Sequence, residues 1–280
     1  MNVTEMTEPA SRYSLGHSPA EYERLRAQAR VWEAAATRIL DQAGVPKGAS
    51  CLDAGCGPGE TMRVLAERVG PAGRVLGVDA DAAIGTLAVA TLYGQGHRHC
   101  AFQAHDLTAD TPIPGGPFDL VYARLLLFHL PERVAVLARL WDSVAPGGCL
   151  VVQDYDVRVV SVLPELASVD EVGRVIIGSF GAAGADVSAG TRLAQLFEQA
   201  GIGAPGGTDV TGRIEPLSTG HVMLKNVFRS LLPVALAQGV TTEEAAATTL
   251  AALDTDATRF ADRPLLWPLM IGAWKHKERP

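Results

Sequence analysis

The chain has 280 residues and a formal net charge of −7, and 48 % of its residues are hydrophobic. At that length a full core is buried, in one large domain or two. The acidic balance, with no basic run beyond the Lys275–Arg279 tail, argues against nucleic acid as a partner, because phosphate recognition needs clustered Lys and Arg. Four cysteines (Cys51, Cys56, Cys100, Cys149) show no C-x-x-C spacing and read as small buried hydrophobes in a reducing compartment, not as a disulfide frame or zinc site. The N-terminus carries Glu5 and Glu8 instead of an apolar signal core, and no apolar run approaches the ~20 residues of a membrane span, so the expectation is a soluble, cytoplasmic protein without a membrane partner.

Taken in order, residues 1–11 are polar and expected to be disordered. Ser18-Pro19 with Glu21 forms a capping box opening a helix to about Arg30, and a second helix from Val31 to Ala43 places Trp32, Ala35, Ala36, Ile39 and Leu40 on one face. These residues 1–43 make an N-terminal arm. A core of residues 44–156 then alternates strand and helix. Strands are expected at 49–53, 74–79, 100–104, 118–122 and 149–153, with a proline- and glycine-rich loop at 108–117. That rhythm predicts an α/β fold, a doubly wound parallel sheet. After Asp156 the pattern changes. Residues 157–188 read as a helical insertion with one helix near 169–180 and a flexible-looking 181–185. Residues 189–216 return to the core with a helix at 191–200 and a strand near 208–214. Residues 217–262 form a second helical insertion containing a helix at 242–253. Residues 263–280 hold a closing strand at 268–274 and the tail.

The chemistry starts where the first strand runs into Asp53-Ala54-Gly55-Cys56-Gly57-Pro58-Gly59-Glu60. Glycine at every second position allows positive φ and close backbone approach by a ligand, at the mouth of a helix N-terminus. The dinucleotide spacing G-x-G-x-x-G would put its third glycine where Glu60 stands, which speaks against a nicotinamide site. A tight structural loop is the plain alternative. The second strand ends in an acid, Asp79, twenty residues after Gly59, a placement suited to a ribose diol. A further acid, Asp106, follows the third strand. For both acids a helix N-cap is the competing role.

The set D-A-G-C-G-P-G, G-V-D-A-D, H-D-L, F-D-L-V-Y-A-R and A-P-G-G-C-L-V-V-Q-D, in this order over residues 44–156, resembles the class I S-adenosylmethionine-dependent methyltransferases. The opening Tyr13–Ser18 and the closing Pro268–Trp274 resemble their small-molecule, natural-product members. The resemblance implies a Rossmann-like seven-stranded sheet with helical lid insertions, a closing strand antiparallel to the others, and S-adenosyl-L-methionine held over the carboxyl edge. It implies donor contacts from Tyr13 and Gln28 of the arm and from Asp53, Gly55 and Gly57 around the amino-acid end. Asp79 and Ala80 would meet the ribose and base, Asp106 and Leu107 the adenine edge, and Ala123 the methionine portion, with Arg124 a further donor contact that is also a candidate at the strand tip. Carboxylates there suit the chemistry, since they accept from O–H and N–H donors.

For transfer itself, the candidates are Asp154, Tyr155 and His129. Asp154 and Asp156 share one side of their strand, so Asp154 or Tyr155 could orient an acceptor. His129, in Phe128-His129-Leu130-Pro131, reads either as a buried histidine or as a base. No acid follows the fourth strand at 121–124, so no metal is expected. Apolar residues of the insertions (Val175, Ile176, Phe180, Met223, Val227, Phe228 among them) suit a hydrophobic small-molecule acceptor, though plain helix packing accounts for residues of this kind as well. Methyl transfer to oxygen or carbon of a hydrophobic secondary metabolite is the leading reading. A nicotinamide oxidoreductase and a donor-binding member repurposed for a non-methylating role are the alternatives. Oligomeric state stays open, a homo-oligomer included.

Overall fold

A computed structural model of the chain describes residues 19–280. The calls on Tyr13, on the Ser18 cap and on the first eleven residues lie outside the described residues. The arm forms α1 (Pro19–Val31) and α2 (Glu33–Ala43). Gly44 ends α2 at φ +71°, its N–H returning to the Leu40 carbonyl. The core follows as β1 (Ser50–Ala54), α3 (Glu60–Val69), β2 (Arg74–Asp79), α4 (Ala82–Gly94), β3 (Cys100–Ala104), β4 (Phe118–Arg124), α5 (Arg133–Asp142) and β5 (Val144–Asp156). The remainder comprises β6 (Ser161–Val162), α6 (Ala167–Ala182), α7 (Leu193–Gln199), β7 (Gly207–Thr211), β8 (Ile214–Pro216), α8 (Leu217–Ala237), α9 (Glu243–Arg259), β9 (Pro264–Leu266) and β10 (Leu269–His276).

Seven strands make one sheet in the order β3-β2-β1-β4-β5-β10-β7. β1 to β5 run parallel, and β10 inserts antiparallel between β5 and β7. Both faces are buried, and period-two alternation divides the side chains. Leu52, Ala54, Val121, Ala123 and Val152 enter one core with α5 and α7, whereas Cys51, Val75, Leu120, Tyr122 and Val151 enter the other with α2 and α3. A third core, with Phe228, Leu231 and Leu253 fully buried in it, joins α6, α8 and α9 over the carboxyl edge of the sheet. The expected fold class is the one observed, closing antiparallel strand included.

Two expectations need correction. The strand at 208–214 is two: β7 stops at Thr211, and beyond Gly212 the chain crosses to a small second sheet, β6-β9-β8, where Ile214 pairs with Leu266. The Trp267 N–H binds the Arg213 carbonyl at this corner (2.9 Å). α9 runs past Leu253 to Arg259, because long-range partners hold its later acids: Lys225 Nζ donates to Asp254 and Ser168 Oγ to Asp256, each at 2.6 Å. The segment 181–185 closes α6 in hydrogen-bonded turns, with Ala185 N–H on the Phe180 carbonyl (2.9 Å).

Candidate active site

Gly55, Gly57 and Gly59 all hold positive φ, at +72°, +47° and +83°. A Cβ on Gly55 would stand 2.9 Å from Leu126 Cδ1, and one on Gly59 would stand 2.8 Å from Ala88 Cβ. At Gly57 a Cβ would meet nothing within 4 Å, in space that belongs to the adjoining cavity. The loop is fastened to the tip of β2. The N–H groups of Gly55 and Cys56 donate to the Val78 carbonyl at 2.8 and 3.0 Å, and that of Gly57 donates to Asp79 Oδ2 at 2.9 Å. The other Asp79 oxygen accepts from the Asp81 N–H at 3.0 Å. Burial raises the Asp79 pKa, and these backbone donors oppose the rise.

The N-cap role weighed for Asp79 falls to Asp81, which accepts from the N–H groups of Ala83 and Ile84. Tyr22 OH donates to Asp81 at 2.9 Å, which brings α1 against the site. Past β3, Asp106 accepts from both the N–H and the hydroxyl of Thr108, at 2.8 and 2.7 Å, in an Asx turn. Arg139 holds the Leu107 carbonyl at 2.9 Å.

These groups border a cavity of about 900 Å³ between the sheet edge and the lid helices. Gln28, Gly55, Gly57, Asp79, Ala80, Asp106, Leu107 and Arg124 border it, as do His129 and Tyr155. Asp53, Ala123 and Asp154 do not. Asp53 lies beneath the glycine loop, 2 % exposed, with Oδ2 buried and unpartnered. Burial pushes its pKa up to about 7 against the opposing charge of Arg124.

Asp154 does share a side with Asp156, as the strand alternation requires, but that side faces away from the cavity. Asp156 is bound by Arg158 and Thr191, while Asp154 is wholly buried under the turn at 127–129 and accepts from the Phe128 N–H (3.2 Å). Tyr155, between them, faces in. Burial pushes its pKa up to about 12. The same cause, aided by the charge of Arg24, lowers His129 to about 4, so its imidazole is neutral near pH 7. That ring packs edge-on against Phe128 and Phe180.

The cavity also has walls that the sequence reading passed over: Tyr22, Arg24, Trp32 and Trp267. Arg24 carries a signal that could have been read, since it lies four residues before Gln28 on one helix face. Arg24 donates to Gln28 Oε1 (2.6 Å), and Gln28 Nε2 donates to Tyr155 OH (3.0 Å). Trp32, expected on the apolar face of the second helix, packs its ring on Tyr155 with centroids 5.7 Å apart and also forms cavity wall.

The fold, with its glycine loop and Asp79 at the tip of β2, is that of a Rossmann-like α/β domain. Residues 51–148 match the family described as a methyltransferase domain. The match falls on the stretch whose motifs resemble the class I S-adenosylmethionine-dependent methyltransferases. It is 37 % identical over 121 residues to a trans-aconitate 2-methyltransferase of Methylobacterium nodulans, which covers 43 % of this chain and 44 % of the relative. It is 34 % identical over 113 residues to the nocamycin O-methyltransferase of Saccharothrix syringae, covering 40 % of each. The chain thus spans less than half the length of those curated relatives. Among solved structures, the [4+2]-cyclase SpnF shares the fold at a TM-score of 0.51 and 18 % identity, over 89 % of this chain and 82 % of that one.

S-adenosylmethionine is the cofactor of this class, and the residues present fit it. At Gly57 there is open space that a side chain would fill, and Asp79, on the cavity border, is a carboxylate able to accept from a ligand hydroxyl. No helix among the described residues is long and apolar enough to cross a membrane.

Proposed function

We propose that this protein transfers a methyl group to an oxygen or carbon of a hydrophobic small molecule, in secondary metabolism. The observation that carries the reading is a single cavity with two unlike halves. One is bordered by the glycine loop, Asp79 and Asp106, the other by Phe128, Phe180, Ile176, Met223 and Val227. A donor in the first half and an apolar acceptor in the second would meet near Arg124, Gln28 and Tyr155.

Bound donor would supply an electrophilic methyl on a positively charged sulfur. Asp79 would accept from the ribose hydroxyls, with Ala80 against the base. Asp106 and the Leu107 backbone would read the adenine edge. The Gly55–Gly57 backbone, over Asp53, would meet the amino-acid end, with Ala123 behind the methionine portion and Gln28 closing from the arm. With the nucleophile and methyl held in line and water excluded by the lid helices, alignment supplies most of the rate.

Calorimetric titration with S-adenosylhomocysteine tests the reading. Wild type should bind, and Asp79→Ala should lose at least about tenfold in affinity, as expected when a carboxylate that accepts two ligand hydroxyls is removed. Absence of binding to the wild type would sink it. A second reading retains donor binding without transfer. It draws on the shared fold of a [4+2]-cyclase and on the depressed basicity of His129 beside the apolar lid. Tight homocysteine-product binding with no methylated product across an acceptor panel would favour it.

A further inference from the structure

The acceptor half of the cavity has a distinctive polarity, which begins at Arg24. A guanidinium can only donate, so its bond to Gln28 fixes the amide with Oε1 toward Arg24 and the NH₂ toward Tyr155. The Tyr155 oxygen therefore accepts from Gln28, and its own proton is left for another partner. Trp32 Nε1–H lies beside the same oxygen, lowering the tyrosine's pKa, yet makes no well-directed bond; it is buried without a partner in a residue only 2 % exposed. Trp267, another wall of the cavity, also has a buried, unpartnered Nε1–H. Arg124 borders the cavity at the end of β4, paired across to Gln153 in β5, and its charge acts on Tyr155 as it does on Asp53 beneath the loop.

Among the described residues, and apart from His129, the polar side-chain groups around this half point one way: they offer protons. The carboxylates of the described lining stand by the glycine loop and the tips of β2 and β3, on Glu60, Asp79, Asp81 and Asp106. A donor-only pole in an apolar chamber matches a ligand group that only accepts. An ionised carboxylate has two oxygens and no proton to offer.

We propose that the acceptor is an organic acid with an apolar body, its carboxylate seated against the Tyr155 hydroxyl and the Arg124 guanidinium, and that the product is its methyl ester. This rests on the methyl-transfer reading above and narrows it to one substrate class. The new bond joins a carboxylate oxygen to the methyl carbon. The bond broken is carbon–sulfur, whose electron pair stays on sulfur. No proton leaves the nucleophile, so none of the chain's groups need act as a base. That agrees with a cavity where Tyr155 keeps its proton, His129 is a weak base and Asp154 is turned away. Tyr155 and Arg124 are binding residues toward the acid, and Gln28, besides closing on the donor, positions the Tyr155 hydroxyl.

The test uses the full chain saturated with S-adenosylhomocysteine. Decanoate, hydrocinnamate and naphthylacetate are titrated in, each beside its methyl ester and the matching primary alcohol. At least one acid should bind about tenfold or more tighter than its ester and alcohol. With labelled S-adenosylmethionine that acid should give a product whose label is released as volatile methanol by mild alkali. Tyr155→Phe, Arg124→Gln and Gln28→Leu should each pull the acid-to-ester affinity ratio toward one, a change that a merely structural role would not produce.

Equal binding of acid and ester, preference for the alcohols, no binding of any acid, or an alkali-stable product overturns the proposal while leaving methyl transfer standing. Loss of homocysteine-product affinity in Arg124→Gln with an unchanged ratio gives that guanidinium to the donor and overturns its assignment here. Failure of the wild type to bind S-adenosylhomocysteine, before any acid is added, removes the broader reading and this one with it.

Discussion

Asp154→Asn should make the protein more stable, and increasingly so as the pH rises. The wild-type carboxyl is wholly buried, one oxygen has no partner, and burial lifts its pKa from 3.8 to about 7. Between those values the folded chain keeps a proton that the unfolded chain has released. Stability contributed by this group therefore falls as the pH rises through the window, and is fully present only below the unfolded pKa. A rise of roughly three units, at about 1.4 kcal/mol each, sets a ceiling near 4 kcal/mol, and relaxation around a buried charge brings the expected effect to about 1–3 kcal/mol. Asparagine keeps an oxygen for the Phe128 N–H and carries no charge. Urea unfolding of both proteins from about pH 4 to about pH 8 is the assay. The variant's advantage should grow by that amount across the range and level off above pH 7, with donor affinity unchanged. A difference that stays flat with pH, or turns against the variant at pH 8, would refute the argument that this carboxylate is an unsupported charge facing away from the cavity.

Other positions give sharper local expectations. Gly59→Ala forces a Cβ onto φ +83° and to 2.8 Å from Ala88 Cβ, so it should cost about 1–3 kcal/mol in urea unfolding and weaken homocysteine-product binding; an unchanged midpoint would show that the loop relaxes freely. Phe228→Ala empties a fully buried site between the lid helices and should cost about 3–5 kcal/mol, read as a lower denaturation midpoint. His129, held near pKa 4 by burial, should show no ring-proton titration by NMR around its ordinary 6.5; a midpoint there would mean that water reaches the ring. Since its folded pKa is depressed, this histidine lends stability that is present above pH 6.5 and lost as the pH falls toward 4.

What was legible in the sequence is what local chemistry determines. The glycine loop could be placed because only glycine tolerates the three positive φ values and the Leu126 and Ala88 approaches. Asp79 and Asp106 could be placed because each follows a short apolar strand, and strand ends put a side chain at the ligand edge. The closing strand came from the resemblance and not from its own pattern, since an antiparallel insertion and a parallel one bury the same faces. The two-to-three-residue strands of the small sheet are too short to show a period, and their pairing brings residues 161–162 to residues 265–266, a separation no local rule spans. The extension of α9 depended likewise on Lys225 and Ser168, far along the chain.

Asp154 is the most instructive case. Alternation gave its relation to Asp156 and Tyr155 correctly, but alternation is blind to which face is which. The cavity lies on the Tyr155 side because Trp32 of the arm and the lid core cover that face. The polarity of the acceptor half was equally out of reach. It arises from Arg24 and Gln28 on one helix meeting Tyr155 on a strand 127 residues later, and only that meeting decides which way each proton points.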